Sequence, residues 1–145
     1  MQDILKNIKT VIDDLALKIN APRHYMPGYG RSRGKSEVYI KVDKHGQPWY
    51  VVIDEGAGRR EYLPADIDDL LYLVLRNITS SMASAFAKNN VIENKDYRRQ
   101  YFSKQLELLS ILSKDWGDRV AQEHQVILGF TAFDDVKHAR KNHLK

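Results

Sequence analysis

The sequence predicts an α+β fold: an N-terminal helix, a three-stranded antiparallel meander, then a three-helix C-terminal bundle packed on the sheet. Three observations carry that expectation. Apolar residues recur at helical spacing at both ends of the chain. Period-two alternation is confined to the stretch between, residues 37–63. Strands and helices are therefore segregated along the chain, which argues against the interleaved βαβ order of a parallel sheet.

Ile4, Ile8, Val11, Ile12, Leu15 and Ile19, with Lys6, Lys9, Asp13 and Asp14 between them, predict an amphipathic helix from Asp3 to Ile19, stopped by Pro22. Residues 21–36 hold two Pro and three Gly and read as a long loop. Val38, Ile40 and Val42 alternate with polar neighbours and predict a half-buried strand. Lys44–Gln47 supplies a turn, and Trp49–Asp54 a second strand rich in β-formers. Gly56-Ala57-Gly58 turns the chain again before a short third strand from Arg60 to Leu63.

Asp66 with Asp69 matches an N-cap with acids in the first turn. From Ile67 to Lys88 the pattern is apolar on most faces, which predicts a buried central helix. Asn94 or Asp96 caps the next helix, whose stripe is Tyr97, Tyr101, Phe102, Leu106, Leu108, Leu109 and Leu112. A last helix starts at Asp115, turns Trp116, Val120, Ile127 and Leu128 inward, and closes at Gly129-Phe130. Residues 1–135 are expected to form a single domain, followed by a basic polar tail, 136–145.

The 145 residues, 43% hydrophobic, suffice for one sizeable core and exclude a disordered chain. The absence of cysteine excludes disulfides, thiolate metal sites and thiol catalysis, and fits a reducing compartment. No uninterrupted apolar run approaches the roughly 18 residues of a membrane span. The N-terminus alternates charge with apolar residues and lacks the apolar core of a secretory signal. The expectation is a soluble, cytoplasmic protein without membrane partners.

No catalytic constellation emerges. Gly34-Lys35-Ser36 resembles the end of a P-loop, but Tyr29 stands where that motif needs its first Gly, and a strand pattern follows instead of a helix. Gly56-Ala57-Gly58 lacks the third glycine of a dinucleotide fingerprint and reads as a hairpin turn. The five histidines are scattered without metal-ligand spacing, so neither a metal nor a cofactor is expected. His124 with Asp118 and Ser110 lacks the nucleophile elbow that would support a triad. Thr79, Ser80, Ser81 and Ser84 interrupt the central helix and suit close packing, with a polar pocket as the alternative. Asp68, Asp69, Arg76, Arg98 and Arg99 suit a structural ion-pair network between helices.

The +4 net charge hides an uneven distribution. Residues 23–35 carry four bases and no acid, whereas residues 36–70 carry eight acids against four bases. Asp54, Glu55, Glu61, Asp66, Asp68 and Asp69 form an acidic cluster at the strand-to-helix junction, suited to a basic protein. Tyr25, Tyr29, Arg31 and Arg33 mix bases and aromatics in the loop, which suits a protein hot spot or single-stranded nucleic acid. Tyr62 joins the acidic cluster as an aromatic anchor, with Trp49 and Tyr50 as further candidates; Trp49 is the one most suited to the core.

Several stretches together resemble the immunity protein 63 family of bacterial polymorphic-toxin immunity proteins. They are Asp68–Ala87 (DDLLYLVLRNITSSMASAFA), Asp96–Leu109 (DYRRQYFSKQLELL) and Trp116–Asp135 with its ending ILGFTAFDD. The strand pair EVYIKVDKHGQPWYVVIDEG and the following RREYLPADIDDLLY fit the same layout, so the resemblance covers residues 35–135. It implies a small, non-enzymatic cytoplasmic antitoxin that binds the C-terminal domain of one cognate toxin. Such toxins are commonly nucleases delivered by contact-dependent growth inhibition. The resemblance assigns no binding residues. The alternative reading is a nucleic-acid-binding module using the basic 23–35 loop and the tail.

Overall fold

The structure, a computed structural model, describes residues 2–31 and 37–136. Arg33, Lys35 and the tail from residue 137 lie outside the described residues, as do His138 and His143. Among the described residues the fold is α+β, with the helices α1 to α4 and a four-stranded mixed sheet. The chain divides into two compact units, residues 1–78 and 79–145, and the division falls inside the long second helix.

In the first unit, α1 spans Gln2–Lys18. Its buried stripe is Ile8, Ile12, Ala16 and Ile19, the helical spacing expected of a face laid on a sheet, and α1 packs against β2. Asn20, not Pro22, sets its end. Asn20 adopts a left-handed conformation (φ 54°), and the Ala21 N–H reaches back to the Ala16 carbonyl (3.0 Å) while the Asn20 N–H bonds that of Leu17 (3.1 Å). This is a Schellman motif, and asparagine tolerates its left-handed position better than most residues.

The expected loop at 21–36 contains regular structure. A 3₁₀ turn at Arg23–Tyr25 leads to β1, Gly28–Tyr29, which pairs in parallel with β2, Glu37–Val42. The predicted three-stranded meander is therefore corrected to four strands in the order β1-β2-β3-β4. β1 is two residues long between Pro27 and Gly30, too short to show an alternation. The other strands, β3 (Pro48–Asp54) and β4 (Gly58–Tyr62), form the antiparallel hairpins expected.

Asp43 builds the β2–β3 turn. Its carboxylate accepts the backbone N–H of His45 (2.9 Å) and Gln47 (3.0 Å) and the Trp49 indole N–H (3.0 Å). Gly46 supplies the positive φ (78°) that closes the turn. The Trp49 bond, with those of the two amides, holds the Asp43 carboxyl below the usual range. Tyr39, Ile40, Tyr50 and Val51 form the buried centre of the sheet. Burial pushes the Tyr50 hydroxyl up to about 12.

α2 spans Ile67–Asn89. By length and composition it could cross a membrane, but half of that stretch is buried inside the protein, as in a core helix. In the first unit it buries Leu70, Tyr72, Val74, Leu75 and Ile78.

The second unit holds the rest of α2 with α3 (Arg98–Leu112) and α4 (Lys114–Phe130). The expected three-helix bundle is thus corrected: the close pairing is that of α3 with α4, and α2 is shared between the units. Ser113 ends α3 and caps α4, its hydroxyl accepting the Trp116 N–H (3.3 Å). Gly117 lets the two helices approach closely. A Cβ there would sit 3.2 Å from Ser110 Cβ and 3.3 Å from its Cα, and would meet its hydroxyl outright.

Candidate functional site

The sequence candidates that fall on described residues all lie in the first unit, and the sheet order separates them. Asp54, Glu55, Glu61, Tyr62, Asp66, Asp68 and Asp69 lie along β4, its turn from β3, and the start of α2. Tyr29 lies in β1, and Tyr25 and Arg31 flank it in sequence, at the other edge. They form two surfaces, not one. Tyr50 is withdrawn as an anchor because it is buried. Trp49 is half-buried, held by Asp43, with Lys41 over its ring at 5.9 Å.

On the β4 surface several acids have local work. The Asp54 carboxylate accepts the Gly56 N–H (2.9 Å) and shapes the turn. Asp66 caps α2 by accepting the Asp69 N–H (2.8 Å), and Asp69 accepts the Ala65 N–H (2.8 Å) in return. This reciprocal arrangement is a variant of the capping box. Glu61 bridges Lys41 (2.6 Å) and Arg59 (2.8 Å), and those two cations hold its carboxyl below the usual range. Register explains the cluster: Val51 pairs with both Tyr39 and Glu61, and Lys41 pairs with Trp49, so these side chains share one face. Arg59 lies over the Tyr39 ring at 5.6 Å.

The acidic surface is therefore a mosaic. Two of its flanking cations already balance Glu61, while Glu55 and Asp68 stand exposed. Sequence reasoning missed Lys41 and Arg59 because their role depends on strand register. It also missed an apolar patch. Tyr62 (43%), Leu63 (55%) and Ile67 (54%) are exposed in one run of chain; Ile67 was expected in the buried pattern but occupies the first turn of α2. Beside them a cavity of about 220 Å³ opens between the β2–β3 turn and α2, its lining including Gln47, Pro48, Pro64, Asp66, Ile67 and Leu70.

On the β1 surface, Tyr25 stacks obliquely on His24 (4.2 Å) and Lys9 lies 5.8 Å above the Tyr29 ring. Arg31 is exposed. A groove of about 420 Å³ runs past Lys9, Asp13, Leu17, Arg23, Met26 and Tyr29. Its charges are mixed, and Lys9 and Asp13 pair with each other (2.7 Å), so no single ligand charge is selected.

The remaining candidates are structural. Arg98 and Arg99, expected in an ion-pair network between helices, form a clasp in the second unit. Arg98 makes a bidentate bond to buried Asp96 and donates to the carbonyls of Thr131 (2.9 Å) and Ala132 (2.8 Å). Arg99 pairs with Asp135 (3.0 Å), which also accepts the Asp96 N–H (2.7 Å). Arg99 lies 4.2 Å over Phe133. Burial pushes the Asp96 carboxyl up, but the Arg98 side chain and the N–H groups of Arg98 and Asp134 outweigh it and hold it well below the usual range.

His124 is a core histidine. It bonds Gln105 (2.8 Å), stacks on Phe102 (4.1 Å), and is pushed down by burial. Gln105 in turn donates to Thr79 (3.4 Å), and Ser80 bonds Tyr101. Thr79 and Ser80 thus bond side chains of α3 within the second unit. Among the described residues, no group of three or more His, Asp or Glu is placed to hold a metal ion.

The family model of immunity protein 63 matches residues 46–126, from the β2–β3 turn into α4. The carboxylates of the β4 surface lie inside the match, and Lys41 and the β1 surface lie outside it. No curated protein and no solved structure matches the chain.

Proposed function

The chain belongs to the immunity protein 63 family, and from that membership we propose that it binds and neutralises one cognate toxin domain in the cytoplasm, acting by occupation rather than catalysis. The observation that carries the reading is the family match across more than half of the chain. The toxin is the C-terminal domain of a polymorphic protein of the contact-dependent inhibition type, with nuclease activity. Nucleases carry basic clefts for phosphates, and an acidic partner surface is complementary to them.

The docking face we assign is the β4 surface. It combines exposed carboxylates with the apolar run Tyr62, Leu63 and Ile67, the mixture of anchors and charge that inhibitory interfaces use. The β1 surface offers mixed charges and lies outside the family match.

The test is co-expression. The C-terminal ~150 residues of the protein encoded immediately upstream, a domain-sized piece, are produced with and without this chain. Cell survival and a co-purified complex are expected together. A fragment that kills despite this chain, and does not bind it, would remove the reading.

A further inference from the structure

We propose that the toxin adds an extended segment to the open edge of β4, continuing the sheet. The inference rests on the immunity reading above. β4 is the last strand of the sheet, and among the described residues no strand pairs with its outer side. All five of its residues, Gly58 to Tyr62, are exposed. An edge strand presents unpaired N–H and C=O groups, a template for pairing with another chain.

A second copy of this chain is the first occupant to consider, and the charge pattern opposes it. Two-fold antiparallel pairing of β4 with itself sets residues of the same face opposite one another. The registers that overlap three or more residues are centred on Arg59, Arg60 or Glu61. Each sets that residue against its own copy, and like charges directly opposite are destabilising. The register centred on Arg60 also sets Arg59 opposite Glu61, but these two already pair with each other within the strand, so little offsets the Arg60–Arg60 contact. The edge therefore offers self-pairing little while staying open to a foreign strand.

The same residues describe the occupant. Glu61 is balanced by Lys41 and Arg59 on one face. Arg60 and Tyr62 share the other face, where they pair with Val52 and Tyr50. Arg60 has no ion-pair partner among the described residues. Tyr62 is 43% exposed, its ring 6.2 Å from that of Tyr50. The fitting segment carries a carboxylate opposite Arg60 and, two positions away, an apolar side chain against Tyr62. Two positions is the spacing of side chains on one face of a strand.

The test uses the complex of this chain with the upstream fragment. Hydrogen exchange is measured on the amides of Gly58–Tyr62, free and bound, and affinities are compared for wild type, Arg60→Glu and Arg60→Lys. Alternate β4 amides should gain protection in the complex. Arg60→Glu should weaken binding about tenfold and Arg60→Lys by less than about threefold, with both variants melting as wild type does. A stable, neutralising complex in which no β4 amide gains protection overturns strand addition and leaves the immunity reading standing. Protection that appears in the concentrated chain without the fragment overturns it in favour of self-pairing. Failure to form any complex overturns both readings together.

Discussion

Asp96 shows what a single carboxylate holds in place. It is buried, yet it keeps its charge because Arg98 and two backbone N–H groups surround it. Its pKa is lower in the folded chain than the roughly 3.9 of an unfolded one, so the unfolded state binds its proton first. The stability it contributes is complete above about pH 5 and is lost as pH falls through the unfolded value toward the folded one. Asp96→Asn should cost about 2–3 kcal/mol at neutral pH, since Arg98 keeps its carbonyl partners but loses its counter-charge. The variant should also show a flatter loss of stability between pH 5 and 3. Chemical denaturation across that range reads both effects. At this scale the sequence was partly legible. The caps at Asp66 and the approach to α3 at Asp96 follow from residue type and spacing. The partners of Arg98 and Arg99 do not, because Asp135 and the Thr131 carbonyl are more than thirty positions away along the chain.

The helices and the two long hairpins were the elements most visible in sequence, since each carries its own period of apolar residues. β1 was not, because two residues cannot display a period and its partner is supplied by β2. The close approach of α3 and α4 was equally hidden. Gly117 reads as a weak helix residue, and only the position of Ser110 shows why a side chain is excluded. Alanine there would gain about 1 kcal/mol of helix propensity but overpack the crossing at about 1–3 kcal/mol. Gly117→Ala should therefore lose about 1 kcal/mol net in a thermal or urea melt. Adding Ser110→Gly should recover the steric part, a coupling that non-contacting sites would not show.

For the molecule as a whole, net charge conceals what the chain offers a partner. Residues 54–69 hold six carboxylates against two guanidinium groups in a chain whose total is +4. The acidic cluster was readable in sequence; its division was not. Asp54, Asp66, Asp69 and Glu61 shape turns, caps and a cation bridge, so their reversal would disturb folding as well as docking. Glu55 is the better probe. Reversing it to Lys should slow association with a basic toxin domain about threefold and reduce its sensitivity to salt. The melting temperature should stay within about 2 °C, the effect of a surface change. Stopped-flow association at two ionic strengths distinguishes this from an unfolding effect. An unchanged rate would move the docking face away from β4. The exposed patch of Tyr62, Leu63 and Ile67 was illegible because helical periodicity continues through Ile67 before burial begins.

The clasp of the second unit carries a kinetic consequence. The Asp96 N–H meets Asp135 across 39 positions, and the Asp96 carboxylate meets the Asp134 N–H across 38. Joining points that far apart costs loop entropy that the local α3–α4 hairpin does not incur. The clasp should close after that hairpin, on the native side of the folding barrier. Loosening it with Asp96→Asn should then leave the refolding rate nearly unchanged and quicken unfolding, so that the clasp governs how long the unit stays folded more than how fast it gets there.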